Sequence, residues 1–325
     1  MKHRARRLVA AISIFAIMGM AAAACGSGDS EADVDLVLDY LPGGIHAGIY
    51  AALGEGYFAE NKINVNIQSP TSSADTLKLV LSGKATFGIA PIADVANLVA
   101  DGEDIQVFMA LEQVPLAALM STEAIGITDP SQLTGATIGV TGIPSDEAVA
   151  KTILAASGVD PESVEFITIG FDAVGNLLGQ TVDAAIGFWS AEAVVLELEG
   201  ETPFVFRPDE YGAPPYPELV VFASTSTINN RPGVVQRFYD SLAQGYEFAL
   251  ANQEAAIKHL ADNAEGIDEF FSNAEFDKVE PYFLGPNGTF GEISDAAIRD
   301  YLNWAESVGI LTAVPEDFIT TKFLP

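Results

Sequence analysis

The sequence predicts an α/β chain folded as two lobes, and three observations lead there. From Val34 onward short apolar runs alternate with amphipathic stretches, the pattern of strands exchanged with helices. The alternation comes in two blocks, the second starting near "SQLTGATIGV". A mostly helical tail follows, and it needs a sheet to pack on. The length agrees, since 325 residues suit two domains of roughly 150 residues each.

The elements follow in order. "VDLVLDY" reads as a strand, and after Pro-Gly-Gly the run "HAGIYAALGEGYFAEN" reads as a helix of small residues. Glycine there lets the backbone come close to a partner, because no Cβ stands in the way. "INVNIQSP" alternates as a half-buried strand. "SSADTLKLVLSGK" opens on a capping box from Ser72 to Asp75 and stops at Gly83. "ATFGIAP", "IQVFMALEQ" and "LAALMS" are strands. In the second block "TIGV" leads through a glycine loop to Ser145, an N-cap, with Asp146 and Glu147 favouring the helix dipole. "VEFITIG", "VDAAIGFW", "PFVFRP" and "ELVVFASTS" are strands, with helices at "FDAVGNLLGQT" and "SAEAVVLELEG". Helices over residues 231–263, 266–282 and 293–309 close the chain. Such alternation predicts a largely parallel sheet, whose ligand lies beyond the carboxyl ends of the strands. The chain is expected to cross between lobes near residues 113–126 and to return near 215–226.

The net charge is −30, and it deepens to −34 once the four basic residues of the first 24 (Lys2, Arg4, Arg6 and Arg7) are set aside. A surface this acidic repels phosphate, which excludes nucleic acid as a partner. Those basic residues precede the uncharged stretch 8–24, so residues 1–24 read as a signal peptide. "AAAAC" resembles the lipobox of bacterial lipoproteins, which makes Cys25 the lipidation site; an ordinary secretory signal is the other reading. Residues 25–33 then form a lipidated cysteine and a Gly/Ser/acidic tether.

Enzyme signatures are missing: the chain has no GxSxG, Walker A, GxGxxG or HExxH. Its single cysteine, Cys25, allows no internal disulfide, and three histidines leave no ligand-spaced pair. No catalytic residue, metal or cofactor is expected.

The candidate binding residues lie in four loop clusters that one cleft would collect. Pro42, Gly43 and His46 follow Tyr40. His46 reads either as a helix-end histidine or as a donor to a polar heterocycle, and Tyr40 and Tyr50 read as ring walls or as core. Pro91, Ile92 and Asp94 form the second cluster, Gly142 and Ser145 the third. In the fourth, Phe188 and Trp189 precede Ser190 and Glu192. There Ser190 caps a helix whose dipole Glu192 complements, or the carboxylate and aromatics grip an aminopyrimidine. Tyr216 is a second wall or loop filler.

These clusters, in this order, resemble the NMT1/THI5-like family over nearly all of the chain after Asp35. The stretches are "LDYLPGGIHAGIYAALGEGYFAENKINVNI", "SGKATFGIAP", "GVTGIPSDEAVAKTIL", "VDAAIGFWSAEAVVLELEG", "EYGAPPYPELV" and "YLNWAESVGIL". The resemblance implies a type II periplasmic-binding-protein fold with lobe 1 at residues 34–118 and 222–325 and lobe 2 at 119–221. It implies a monomeric receptor, lipid-anchored on the extracytoplasmic face, that closes on a thiamine-precursor pyrimidine and delivers it to an ABC permease and its ATPase. Riboflavin, another aromatic heterocycle, and sulfonate or nitrate are the alternative ligands. The family's aromatic wall falls on Tyr40, its histidine on His46, and its helix-start glutamate on Glu192 beside Trp189. The Gly-Gly break is then expected to let the backbone approach a flat ligand. Tyr40 stands where the family has tryptophan, and Gly43 where it has asparagine. Eukaryotic relatives are pyrimidine synthases with a cysteine-rich motif that this chain lacks.

Overall fold

The computed structural model describes residues 30–324. The expected signal peptide at 1–24, the expected lipidation site Cys25 and residues 26–29 of the expected tether lie outside the described residues. Ten strands form two five-stranded sheets of the same design. The first has the order β2 (Ile63–Gln68), β1 (Ala32–Val37), β3 (Phe87–Pro91), β10 (Leu219–Ser224), β4 (Ile105–Ala110). The second has the order β7 (Glu165–Thr168), β6 (Thr137–Val140), β8 (Ala184–Phe188), β5 (Ala117–Thr122), β9 (Pro203–Phe206).

Each sheet departs from the parallel expectation at one strand. β1 pairs parallel with β2 and β3, and β6 with β7 and β8. β10 runs antiparallel between β3 and β4, and β5 antiparallel between β8 and β9. The reason is the route of the chain. A strand arriving from the other sheet enters at the edge where its neighbours leave, so it must run against them. The crossings are residues 111–116 and 207–218, which places β5 wholly in the second sheet and β10 in the first.

Both faces of each sheet are buried, as helix-covered sheets require. Along β1, Val34 and Leu36 enter one core and Val37 the other; along β5, Leu119 and Met120 divide in the same way. On the first sheet, α1 (Ala47–Gly54), α2 (Tyr57–Glu60), α9 (Pro232–Ala251), α10 (Gln253–Asn263) and α11 (Glu269–Val279) gather at one core. The other core takes α3 (Ser73–Leu81), α4 (Ile92–Ala100) and α12 (Asp295–Ser307). The short α8 (Thr225–Asn230) follows β10. The second sheet carries α5 (Pro144–Ala156), α6 (Ala173–Leu178) and α7 (Glu192–Leu198).

The small residues of α1 have a packing cause. Six of its eight residues are buried, and a Cβ at Gly48 would collide with the ring of Tyr246 on α9. The two helix backbones therefore approach closely, and larger side chains would hold them apart.

Helix starts differ in detail from expectation. Ser72 is the N-cap of α3, but its side chain makes no cap bond, and the Asp75 carboxylate instead accepts from Thr71 Oγ1. α5 begins at Pro144, a residue suited to the first helical position, so Ser145 lies inside the helix rather than capping it. α7 begins at Glu192 with Ala191 as N-cap, and Ser190 Oγ is buried without a hydrogen-bond partner.

Candidate functional site

The two sheets face each other across a cleft that the returning crossing borders through Tyr216 and Glu218. The cleft has an inner cavity of about 50 Å³ and an outer space of about 710 Å³, and Tyr40 and Glu192 line both. Tyr40 follows the first strand of one sheet; Glu192 opens the helix after β8 of the other. Loops at the carboxyl ends of the parallel strands thus supply the walls, as open α/β sheets dictate.

Direct contacts hold the halves together. The Tyr40 ring meets Phe171 edge-on at 4.4 Å, and its hydroxyl donates to Phe171 O at 3.3 Å. Ser145 Oγ donates to Asp94 Oδ2 at 2.7 Å. On the outside, Lys278 Nζ lies 3.8 Å from Glu197 Oε2. At the crossings, the Glu218 carboxylate accepts from Leu116 N at 3.3 Å and from Tyr216 Oη at 3.0 Å, tying the outgoing and returning chains together.

Carboxylates dominate this interior. Asp39, Asp94, Asp146, Glu192, Glu218 and Glu275 are all buried. Burial raises Asp146 to about 6, Asp94 and Glu218 to about 7, and Glu275 to about 8, with neighbouring acids adding to the rise. Glu192 rises for the same reason, although Phe188 N donates to its Oε2 at 2.7 Å. Among the described residues, no Lys or Arg lines either part of the cleft. What the arrangement offers chemically is an array of acceptors beside an aromatic ring. It suits a flat molecule rich in N–H donors or carrying positive charge, and it opposes an anion.

The sequence candidates divide by position. Tyr40, Pro91, Ser145, Phe188, Glu192 and Tyr216 line the inner cavity; Pro42 and Gly43 line the outer space. Asp94 stands behind this lining and reaches Ser145. His46 does not reach the cleft. It accepts from Gly43 N at Nδ1 (3.2 Å), so Nε2 carries the hydrogen that faces Asp39 Oδ1 at 3.0 Å. It therefore orients Asp39, which does line the cavity. Tyr50 and Ile92 are in the hydrophobic cores. Gly142 holds a φ of 108° in the turn that presents Thr141 and Ile143 to the cavity, and does not line it itself. The Trp189 indole turns to the crossing, donating to Pro115 O at 2.8 Å with Arg207 over its ring.

The Gly-Gly break has a packing use besides the expected approach to a ligand, for which Gly43 lines the outer space. Gly44 N donates to the Glu275 carboxylate, and a Cβ at Gly44 would run into the backbone of α11. The close partner is this helix of the same half. Asp39, Asp146, Glu218 and Tyr301 also line the cavity and were not among the candidates. Asp146 carried only a dipole role in the sequence, whereas its Oδ2 accepts from Thr141 N and Oγ1 at 2.7 and 2.6 Å. Tyr301 stacks on Tyr216 with centroids 3.6 Å apart.

Two sheets of identical strand order facing one cleft define the class: this is the periplasmic-binding-protein fold. The Candida albicans CA3427 gene product, described as having the generic fold of that name, matches with a TM-score of 0.67 at 18% identity. That match covers 87% of this chain and 92% of the other. Within the class, the chain belongs to the NMT1/THI5-like family, whose family model matches residues 44–256. The formylaminopyrimidine-binding protein of Halalkalibacterium halodurans is 29% identical over 292 residues, covering 86% of this chain and 87% of that protein. The 4-amino-5-hydroxymethyl-2-methylpyrimidine phosphate synthase THI11 of Saccharomyces cerevisiae is 21% identical over 305 residues, covering 88% and 85%.

Proposed function

We propose that this chain is the extracytoplasmic solute-binding component of an ABC importer and that it captures an aminopyrimidine of the formylaminopyrimidine type. The observation that carries this reading is the cleft itself: an aromatic wall at Tyr40, buried carboxylates on both sides and, among the described residues, no Lys or Arg in the lining. Amino groups and a protonated ring nitrogen complete such acceptors, whereas a sulfonate or nitrate would meet repulsion. The bacterial relative named for formylaminopyrimidine binding supports the same class.

Capture proceeds by lobe closure about residues 111–116 and 207–218. Ligand contacts made only in the closed form, at Tyr40 and Glu192, shift the equilibrium toward it. The closed protein then docks on a permease driven by its ATPase, with Cys25 as the lipid anchor; Cys25→Ser is expected to release the chain from membranes. No bond is made or broken. The yeast relative is named a synthase, but a chain with one cysteine cannot supply the cysteine-rich motif of those enzymes.

The test is a thermal-denaturation and calorimetric screen of formylaminopyrimidine, 4-amino-5-hydroxymethyl-2-methylpyrimidine, riboflavin, an alkanesulfonate and nitrate. Ligand at a hundred times its Kd adds about 2.7 kcal/mol. Stabilisation by a pyrimidine and none by the anions is expected; the reverse order would overturn the reading.

A further inference from the structure

Phe188 ends β8 and Trp189 follows it, but the two rings serve different places. Phe188 lines the inner cavity, whereas Trp189 lines neither part of the cleft. Its indole packs on a core of the first half and on a core of the second. A ligand wall does not account for that position; the route of the chain between the halves does.

The hydrogen bonds of the outgoing crossing change owner at one residue. Gln113 N donates to Tyr282 O at 3.0 Å and its side-chain amide to Glu292 O at 3.1 Å, both in the first half. Pro115 O accepts from Trp189 Nε1 at 2.8 Å and Leu116 O from Trp189 N at 3.0 Å, both in the second half. Val114 lies between and takes part in neither set, so a bend of this crossing falls on its backbone. On the return, the turn Pro208–Tyr211 packs on α5 of the second half and holds Ala213, whose N–H donates to Pro208 O at 3.0 Å. Tyr216 already stacks on Tyr301 of the first half. The return therefore bends at Pro214 and Pro215, where the fixed φ of proline leaves rotation to ψ.

Trp189 spans the joint at Val114. Its indole N–H holds Pro115 on one side. Its ring meets Tyr282 edge-on on the other, at 6.1 Å and 90°, and Tyr282 is the residue whose carbonyl holds Gln113. Arg207 lies over the indole at 4.7 Å, itself fixed by both carboxylate oxygens of Asp209 at 3.1 Å. Rotation at Val114 must part Trp189 from Tyr282, whereas the bonds to Pro115 and Leu116 move with the second half. We propose that Trp189 is a positioning residue, a clamp across the joint at Val114 that holds the closed angle through Tyr282 without touching the ligand. This rests on the lobe closure proposed above, not on the identity of the ligand.

The test uses the full chain carrying Trp304→Phe, which leaves Trp189 as its one tryptophan, with 4-amino-5-hydroxymethyl-2-methylpyrimidine as the probe. Saturating probe is expected to shield Trp189 from quenching by acrylamide. Tyr282→Ser removes a half-buried ring that lines neither part of the cleft and keeps the carbonyl for Gln113. It is expected to enlarge the ligand-free radius of gyration and to weaken probe binding roughly threefold to tenfold. Tyr282→Phe keeps the ring and is expected to match the parent. Trp189→Ala is expected to lose at least as much affinity, and Tyr282→Ser added to it to cost nothing further. Parental affinity and radius in Tyr282→Ser overturn the clamp and leave the pyrimidine reading standing. Equal losses in Tyr282→Phe and Tyr282→Ser, or quenching that bound probe does not change, overturn it as well. If the probe does not bind the parent, the ligand proposed above fails. The ligand-free radius alone then decides the clamp, and Tyr282→Ser must still enlarge it.

Discussion

Ser145 Oγ donates to Asp94 Oδ2 at 2.7 Å, and through these two buried side chains α5 of one half is fastened to α4 of the other. The second oxygen, Asp94 Oδ1, is buried without a partner. Removing the hydroxyl would leave the whole carboxyl unsatisfied, a loss of about 1–3 kcal/mol. An opened cleft hydrates both groups, so that penalty falls on the closed form. Ser145→Ala is therefore expected to weaken ligand affinity roughly tenfold and to enlarge the radius of gyration of the ligand-free protein in X-ray scattering. An unchanged radius and affinity would show that the bond does not hold the halves together.

The pH dependence of closure follows from the buried acids. Exposed carboxyls titrate near 4, whereas in this interior Asp146 titrates at about 6, Asp94 and Glu218 at about 7 and Glu275 at about 8, each raised chiefly by burial. Between those limits the closed form binds more protons than the open or unfolded chain. Stability of the closed, ligand-free form is thus greatest below the ordinary carboxyl range and is lost as pH rises through 6 to 8. Urea midpoints are expected to fall from about pH 5 to about pH 8, with a shallower slope in Asp94→Asn. A midpoint that climbs over that interval would contradict this placement of protons.

Much of this architecture was legible because central strands buried on both faces leave short apolar runs, while the edge strand β2 shows as the alternation of Ile63, Val65 and Ile67 with Asn64 and Asn66. The antiparallel direction of β5 and β10 was not, since it follows from the crossing route and no local pattern records it. The same division holds in the cleft. Tyr40 and Glu192 sit beside a Pro-Gly-Gly break and a Phe-Trp pair, signals that local reading detects. Asp39 gained meaning only when the turn at Gly43 folded His46 back onto it, and Tyr301 only when the tail helix laid it on Tyr216. Asp146 and Glu218 show how a cap-like acid and an acid before a strand look ordinary until burial gathers them.

Gly44 is fixed by contact and not by backbone conformation, for it is absent from the glycines with positive φ. A Cβ there would meet Ser272 O and Phe276 N, which are helix backbone and cannot rotate away. Gly44→Ala is expected to destabilise the chain by about 1–3 kcal/mol and to lengthen the bond from its N–H to Glu275. By contrast, a Cβ at Gly56 would meet nothing within 4 Å, but its φ of 85° makes alanine strained there for a different reason. Comparing the two melting curves with and without ligand separates the causes: only the Gly44 variant should also lose affinity, because Glu275 lines the cleft.

Glu192 joins the two parts of the cleft, and its substitution is the sharpest test of the site. Its Oε2 accepts from Phe188 N, and burial has raised its pKa. Glu192→Gln keeps the shape and an acceptor for Phe188 N, so the fold should persist; removing a buried acid with a raised pKa does not by itself cost stability near neutral pH. What the amide loses is a charged acceptor for a ring N–H or an amino group, and charge-assisted hydrogen bonds are about twice as strong as neutral ones. Pyrimidine affinity is therefore expected to fall by ~10-fold or more in Glu192→Gln and to vanish in Glu192→Ala, with circular dichroism unchanged. Wild-type affinity in both variants would remove Glu192 from the site. A loss in Glu192→Ala that Glu192→Gln fully restores would assign it a packing role behind Tyr40 instead.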